Sequence, residues 1–184
     1  ETDALGVAPF GVTRQKGSLE VSATGISAWG RNAIHHTGAL IGDVYAASFD
    51  DFALAANQRV IWRRGVSTTL GEARDGMMLR ANLAGVGTVT GNPAMAPGYF
   101  FNTAGVNGLL RVYKVDASGL ILLGTAYTLA DAADRWLRAS VIGNALLFEY
   151  SADGVTWTTA VSVTDSTYSS SGAVQWCNGL GGPT

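Results

Sequence analysis

Residues 135–150 constrain the fold more than any other stretch. Two alternating runs, 135–142 and 145–150, flank Gly143-Asn144, a two-residue hairpin turn. A turn that short fixes the register. Val141 then faces Leu146, Ala139 faces Phe148 and Leu137 faces Tyr150, which makes one apolar face. The opposite face pairs Arg138 with Glu149 and Ser140 with Leu147. One face suits a core and the other is mixed, the pattern of a strand in a sandwich.

The rest of the chain repeats this theme. Residues 18–24 alternate Leu19, Val21 and Ala23 against polar neighbours. Residues 43–52, 59–64, 76–83, 99–103, 108–115, 120–123, 155–157 and 173–177 read as further strands. In 76–83, Met77, Leu79, Ala81 and Leu83 form one face, and Met78, Arg80 and Asn82 the other. Asp116-Ala-Ser-Gly119 and Ala152-Asp-Gly154 read as tight turns. Residues 25–40 read as loop, and 129–135 as one helical turn. Residues 84–98 hold four glycines, Pro93 and Pro97, and read as a long loop too polar and broken to be core. Many short strands with a turn about every ten residues predict a sandwich or barrel. The 184 residues fit a single domain, 1–184, with 1–16 as an extended lead-in, and with the chain a mature form or a segment of a longer protein.

Charge excludes several functions. Net charge is −2 and only 14% of residues are charged, so no bulk attraction to nucleic acid or anionic membrane is expected. Ten of the twelve basic residues are Arg. That skew reflects either recognition through the planar guanidinium or base composition alone. No run of about 18 apolar residues predicts membrane insertion. Cys177 is the sole cysteine, so no internal disulfide forms; beside Trp176 it reads as a buried, inert thiol. His35 and His36 are adjacent and point to opposite faces of any strand, which does not favour one shared metal. Asp50, Asp51 and Asp153 are the candidates for calcium, an ion that needs six to eight oxygens. No Asp-x-Asp-x-Asp loop accompanies them, and Asp153 is explained by its turn, so no cofactor is expected.

The order of several short segments carries a resemblance. Gly-Met-Met-Leu-Arg-Ala-Asn (76–82) is followed by Gly-Tyr-Phe-Phe (98–101) and Leu-Leu-Arg-Val-Tyr-Lys-Val (109–115). Arg-Trp-Leu-Arg-Ala-Ser-Val-Ile-Gly-Asn (135–144), Ser-Ala-Asp-Gly-Val-Thr-Trp (151–157) and Val-Thr-Asp-Ser-Thr-Tyr (163–168) come after. Together they resemble the concanavalin A-like lectin/glucanase superfamily, and within it the laminin G-like modules of secreted and phage proteins. The resemblance spans roughly 40–180. It implies an all-β, two-sheet antiparallel jelly-roll β-sandwich, often with saccharide on the concave sheet or edge loops. The glucanases of that superfamily carry Glu-x-Asp-x-x-Glu on one strand. This chain has no such triplet, and no single strand supplies the carboxyl pair that retaining hydrolysis needs.

The expected ligand-binding residues are Arg80, Asn82, Asn102, Arg111 and Tyr113 on the non-core strand faces, with Trp29 and Trp62 as candidate stacking platforms or end plugs. Asn and Arg suit sugar hydroxyls, and an aromatic ring suits the apolar sugar face. The alternative for the five strand residues is an ordinary solvated sheet face. Arg138 is read as the partner of Glu149, and Trp136, Trp157 and Trp176 as packing residues. The expected function is a non-catalytic, lectin-like carbohydrate-binding module, extracellular at a cell surface or on a virion, with a glycan or polysaccharide as partner. The alternative is a structural component of a phage or phage-like particle that contacts other subunits and mediates assembly or host attachment. A weaker alternative is a glycan-cleaving enzyme.

Overall fold

The computed structural model describes residues 12–14, 18–22, 33–37, 44–49, 55–64, 72–73, 75–92, 95–104, 108–129 and 135–181. The strands are β1 (Val12–Arg14), β2 (Ser18–Ser22), β3 (Ala33–Thr37), β4 (Val44–Phe49), β5 (Gln58–Arg64), β6 (Glu72–Ala73) and β7 (Asp75–Ala81). They continue with β8 (Gly98–Ala104), β9 (Leu109–Asp116), β10 (Gly119–Thr128), β11 (Arg135–Ile142), β12 (Ala145–Ser151), β13 (Thr158–Thr164) and β14 (Ala173–Gly181). The large sheet runs β1-β4-β14-β7-β8-β9-β10, with β6 also paired to β14. The small sheet runs β13-β12-β11-β5, and β2 pairs with β3 alone. Every pairing is antiparallel. The architecture is therefore the two-sheet antiparallel jelly-roll sandwich that the sequence implied.

The β11–β12 hairpin has the register its turn dictates. Leu137 pairs with Tyr150, Ala139 with Phe148 and Val141 with Leu146. Gly143 supplies the turn's positive φ, +55°, at the first central position, where a side chain would be strained. The inward residues of this hairpin meet those of the large sheet. Leu79, Tyr99, Phe101, Leu110 and Val112 pack on Val60, Leu137, Ala139, Val141, Leu146, Phe148 and Val161. Phe101 meets Phe148 edge to face, with ring centroids 5.6 Å apart. Each such side chain, fully buried, contributes about 1.5–3 kcal/mol, so this layer dominates the favourable side of folding.

Three local expectations are corrected. Residues 33–37, read as loop, form β3, because β2 offers them a ladder. Residues 155–157, read as a strand, are turn. Asp153 Oδ1 accepts the N–H groups of Val155 and Thr156 at 2.8 Å each, which takes donors a ladder would need, and the strand starts at Thr158. The third concerns 84–98. Val89, Met95 and Ala96 are buried, and with Val86 they pack on Met78, Phe100, Val115 and Tyr113 on the outer face of the large sheet. Glycine and proline spacing hid three inward-turning apolar residues, so the loop carries a second core. Ala96 N–H donates to the buried Gln175 Oε1 at 3.1 Å, which ties the loop to β14. The helical turn expected at 129–135 and the pair Asp50-Asp51 lie mostly or wholly outside the described residues.

A cleft at the end of the sandwich as candidate functional site

The candidate site is organised by one residue out of register. Arg80 has φ +51°, the left-handed region that costs a side-chain-bearing residue about 1–2 kcal/mol. β14 shifts register beside it, with Met78 opposite Gln175 but Ala81 opposite Ala173. The bulge breaks the expected alternation. Met78 and Ala81 consequently share the outer layer. The Arg80 guanidinium reaches instead across the end of the sandwich. Nε donates to Ala56 O at 2.6 Å, Nη1 to Tyr168 O at 2.5 Å and Nη2 to Gly143 O at 2.6 Å. Its own N–H donates to Gln58 Oε1 at 2.5 Å, and Gln58 Nε2 donates to Gly172 O at 2.6 Å. Burial pushes Arg80 below the ordinary arginine value, and the three carbonyl dipoles take the place of water around the cation. Gly172 has no room for a side chain, since a Cβ there would fall 2.6 Å from Arg80 Cα.

Three members of this clamp, Arg80, Tyr168 and Gly172, line a cleft of about 450 Å³, with the buried Arg80 as its floor. One wall is Ala81 to Ala84, where β7 passes into a single 3₁₀ turn, Leu83–Gly85. The other is Tyr168 with Ser170 to Ala173, where the β13–β14 loop enters β14. Asn82, Ser170 and Ser171 are exposed, and the Asn82 side chain makes no capping hydrogen bond to the 3₁₀ turn. These groups offer amide and hydroxyl donors and acceptors beside the apolar Leu83.

The serine wall is held from below. Tyr99 Oη donates to Asp165 Oδ1 at 2.7 Å and accepts the Tyr168 N–H at 3.0 Å. The Tyr168 ring meets Tyr99 edge to face at 5.3 Å, and its hydroxyl donates to Val115 O at 2.6 Å. Burial, aided by the neighbouring Asp165, pushes the Tyr99 phenol up to about 12. Burial alone would raise Asp165 as well, but hydrogen bonds from Tyr99 and Thr167 outweigh it and hold the carboxyl below its ordinary value.

The expected ligand-binding residues fall into three groups. Arg80 and Asn82 meet at the cleft, Arg80 as the buried floor and Asn82 as a wall. Asn102, Arg111 and Tyr113 do share a face of neighbouring strands, with Asn102 opposite Arg111 and Phe100 opposite Tyr113. Asn102 is buried there, Arg111 Nη1 donates to Tyr113 Oη at 3.2 Å, and the Tyr113 ring stacks on Phe100 under the loop. Trp62 lies on the inner face of the small sheet, stacked 5.8 Å from Phe148, so packing engages its ring. Trp29 lies outside the described residues.

Tyr168, Ser170 and Ser171 were visible only as a polar run before the last strand. The outer face of the small sheet was also partly legible. Arg138 pairs with Glu149 at 2.6 and 2.7 Å. Trp136 and Trp157 pack there against guanidinium groups, Arg63 and Arg138 at 5.6 and 4.2 Å. Among the described residues no group of three His, Cys, Asp or Glu side chains is placed to hold a metal ion.

No family model matches the chain. No curated protein matches it in sequence. Solved structures do share its fold, among them two carbohydrate-binding modules. One is the carbohydrate-binding module CBM66 from Bacillus subtilis, with TM-score 0.61 and 12% identity, covering 93% of this chain and 94% of that one. The other is the CBM2 module of the evolved Dit of Lactobacillus casei BL23 phage J-1, with TM-score 0.53 and 14% identity, covering 96% and 85%. At these identities the likeness is one of fold.

Proposed function

We propose that this chain is a non-catalytic carbohydrate-binding module of the concanavalin A-like, laminin G-like kind, displayed at a cell or virion surface. Its glycan sits in the cleft between residues 80–84 and 168–173. The observation that carries this reading is the cleft itself, a recess whose exposed groups are an amide and two hydroxyls beside apolar surface. Such a lining suits a neutral polyol, with hydroxyls bonding to Asn82, Ser170 and Ser171 and apolar carbons resting on Leu83. The fold shared with two carbohydrate-binding modules supports the same reading.

A second reading makes the chain a component of a phage or phage-like particle. The observation favouring it is that one structure of this fold is a module of a phage Dit. The two readings are compatible, because a particle component that attaches to a host can do so through a glycan.

The test is an array of bacterial capsule, lipopolysaccharide and host glycans, probed with the purified chain with and without calcium. The expected result is specific binding independent of calcium, weakened about tenfold by Asn82→Ala or Ser171→Ala, the loss of roughly one good hydrogen bond. Binding to no glycan contradicts the proposal. Binding that ignores both changes but is lost in Arg111→Ala moves the site to the outer sheet face.

A further inference from the structure

The floor of the cleft carries a charge that its walls do not. Arg80 is 3% exposed, and an arginine side chain keeps its proton at any working pH. A buried arginine is ordinarily held by a carboxylate, forked where geometry allows. Arg138 with Glu149 on the small sheet is that arrangement. Arg80 is bound differently. Its three guanidinium nitrogens donate to the main-chain carbonyls of Ala56, Tyr168 and Gly143. Carbonyl dipoles replace water around a cation but leave its net charge in place.

The acidic residue on the loop of the serine wall is engaged elsewhere. Asp165 accepts from Tyr99 Oη at 2.7 Å and from the Thr167 N–H at 2.8 Å. The phenols of Tyr99 and Tyr168, beside the clamp, are both pushed above the ordinary tyrosine value by burial and stay neutral. Among the described residues that line the cleft, Arg80 is the one charged side chain. Above it stand the Asn82 amide and the Ser170 and Ser171 hydroxyls, each able to turn a hydrogen toward an anion as readily as an acceptor toward a hydroxyl. A charge set beneath a recess acts on a ligand through low-dielectric protein, where it is felt more strongly than across open water.

We infer that the cleft ranks sugars by charge, holding one that bears a carboxylate more tightly than its neutral counterpart and one that bears a free amine less tightly than either. The inference rests on the cleft being the glycan site. The walls bind hydroxyls whatever the charge of the sugar, so a neutral sugar still binds. A carboxylate adds the anion that the Arg80 floor is not given by the protein. An amine meets like charge and is disfavoured without touching Arg80, which is discrimination by repulsion. One unit charge several ångströms from the guanidinium, in a partly hydrated recess, shifts affinity by about five- to tenfold.

Isothermal titration with matched ligands tests this. Each backbone that binds on the array is used in its hexose form, as the hexuronate and as the primary amine at the same carbon. The hexuronate is expected to bind about five- to tenfold more tightly than the hexose, and the amine weaker by a similar factor. Raising salt from about 0.02 to about 0.5 M should shrink both differences and leave the hexose unchanged. Arg80→Gln removes the charge but also the clamp, so the discriminating pair is Ser170→Asp and Ser170→Asn, at an exposed residue. Ser170→Asp sets a carboxylate over the floor and should level or invert the ranking, while Ser170→Asn should keep it. Equal affinity for the three forms overturns the inference and leaves the glycan reading standing, as does a ranking that Ser170→Asp does not alter. Binding of no form on any backbone overturns both.

Discussion

Tyr99 shows how much one buried polar atom holds together. Its hydroxyl donates to Asp165 and accepts from the Tyr168 N–H, so it fixes the loop that forms the serine wall of the cleft. Replacing it with Phe keeps the ring and removes both bonds, which should cost about 1–3 kcal/mol at neutral pH. The pH dependence has a defined sign. An unfolded tyrosine ionises near pH ~10, and in the fold Tyr99 holds its proton to about 12. Its contribution is full below the unfolded value and is lost as pH rises through the folded one. Urea unfolding from pH ~9 to ~12 should show stability falling over that interval, with a shallower slope in Tyr99→Phe. An identical slope in both proteins would rule out Tyr99 as a source. Arg80 makes the same point in backbone terms. Its positive φ could not be read from its type, because the carbonyls that fix it come from residues 56, 143 and 168, all remote in sequence.

At the scale of elements, what was legible depended on where the information lies. The β11–β12 register was readable because two adjacent turn residues set it, and the Arg138–Glu149 pair followed. The loop over 84–98 was misread because Val89, Met95 and Ala96 recur with neither strand nor helix period, so only the sheet beneath reveals which way they point. Met95 is fully buried between loop and sheet. Met95→Ala should therefore destabilise the whole domain by about 2–5 kcal/mol, the usual cost of truncating a buried side chain. Chemical denaturation measures it. A change near zero would make the segment a loose flap and not a third layer. Half of the cleft was legible in the same sense: Asn82 was picked out on one wall, while Ser170 and Ser171 lay in a polar run whose position follows from how β14 enters the sheet.

At the scale of the molecule, two cores sandwich the large sheet, and the end clamp links both sheets to the β13–β14 loop. The fold class was readable because alternation and turn signals recur along much of the chain, whereas the order of strands within each sheet was not. Interior and edge strands can share a pattern, and β10, an edge strand with the apolar run Leu120-Ile-Leu-Leu123, is the case in point. The same limit applies to the site, since the cleft exists only where residues 80–84 and 168–173, distant in sequence, meet. Its location is the central claim. The most direct test is to titrate the isotopically labelled chain with a glycan selected on the array and map the amide shifts. The account predicts perturbations concentrated at residues 82–84 and 170–173. Perturbations centred on Asn102, Arg111 and Tyr113, or on Trp136 and Trp157, with the cleft silent, would contradict it.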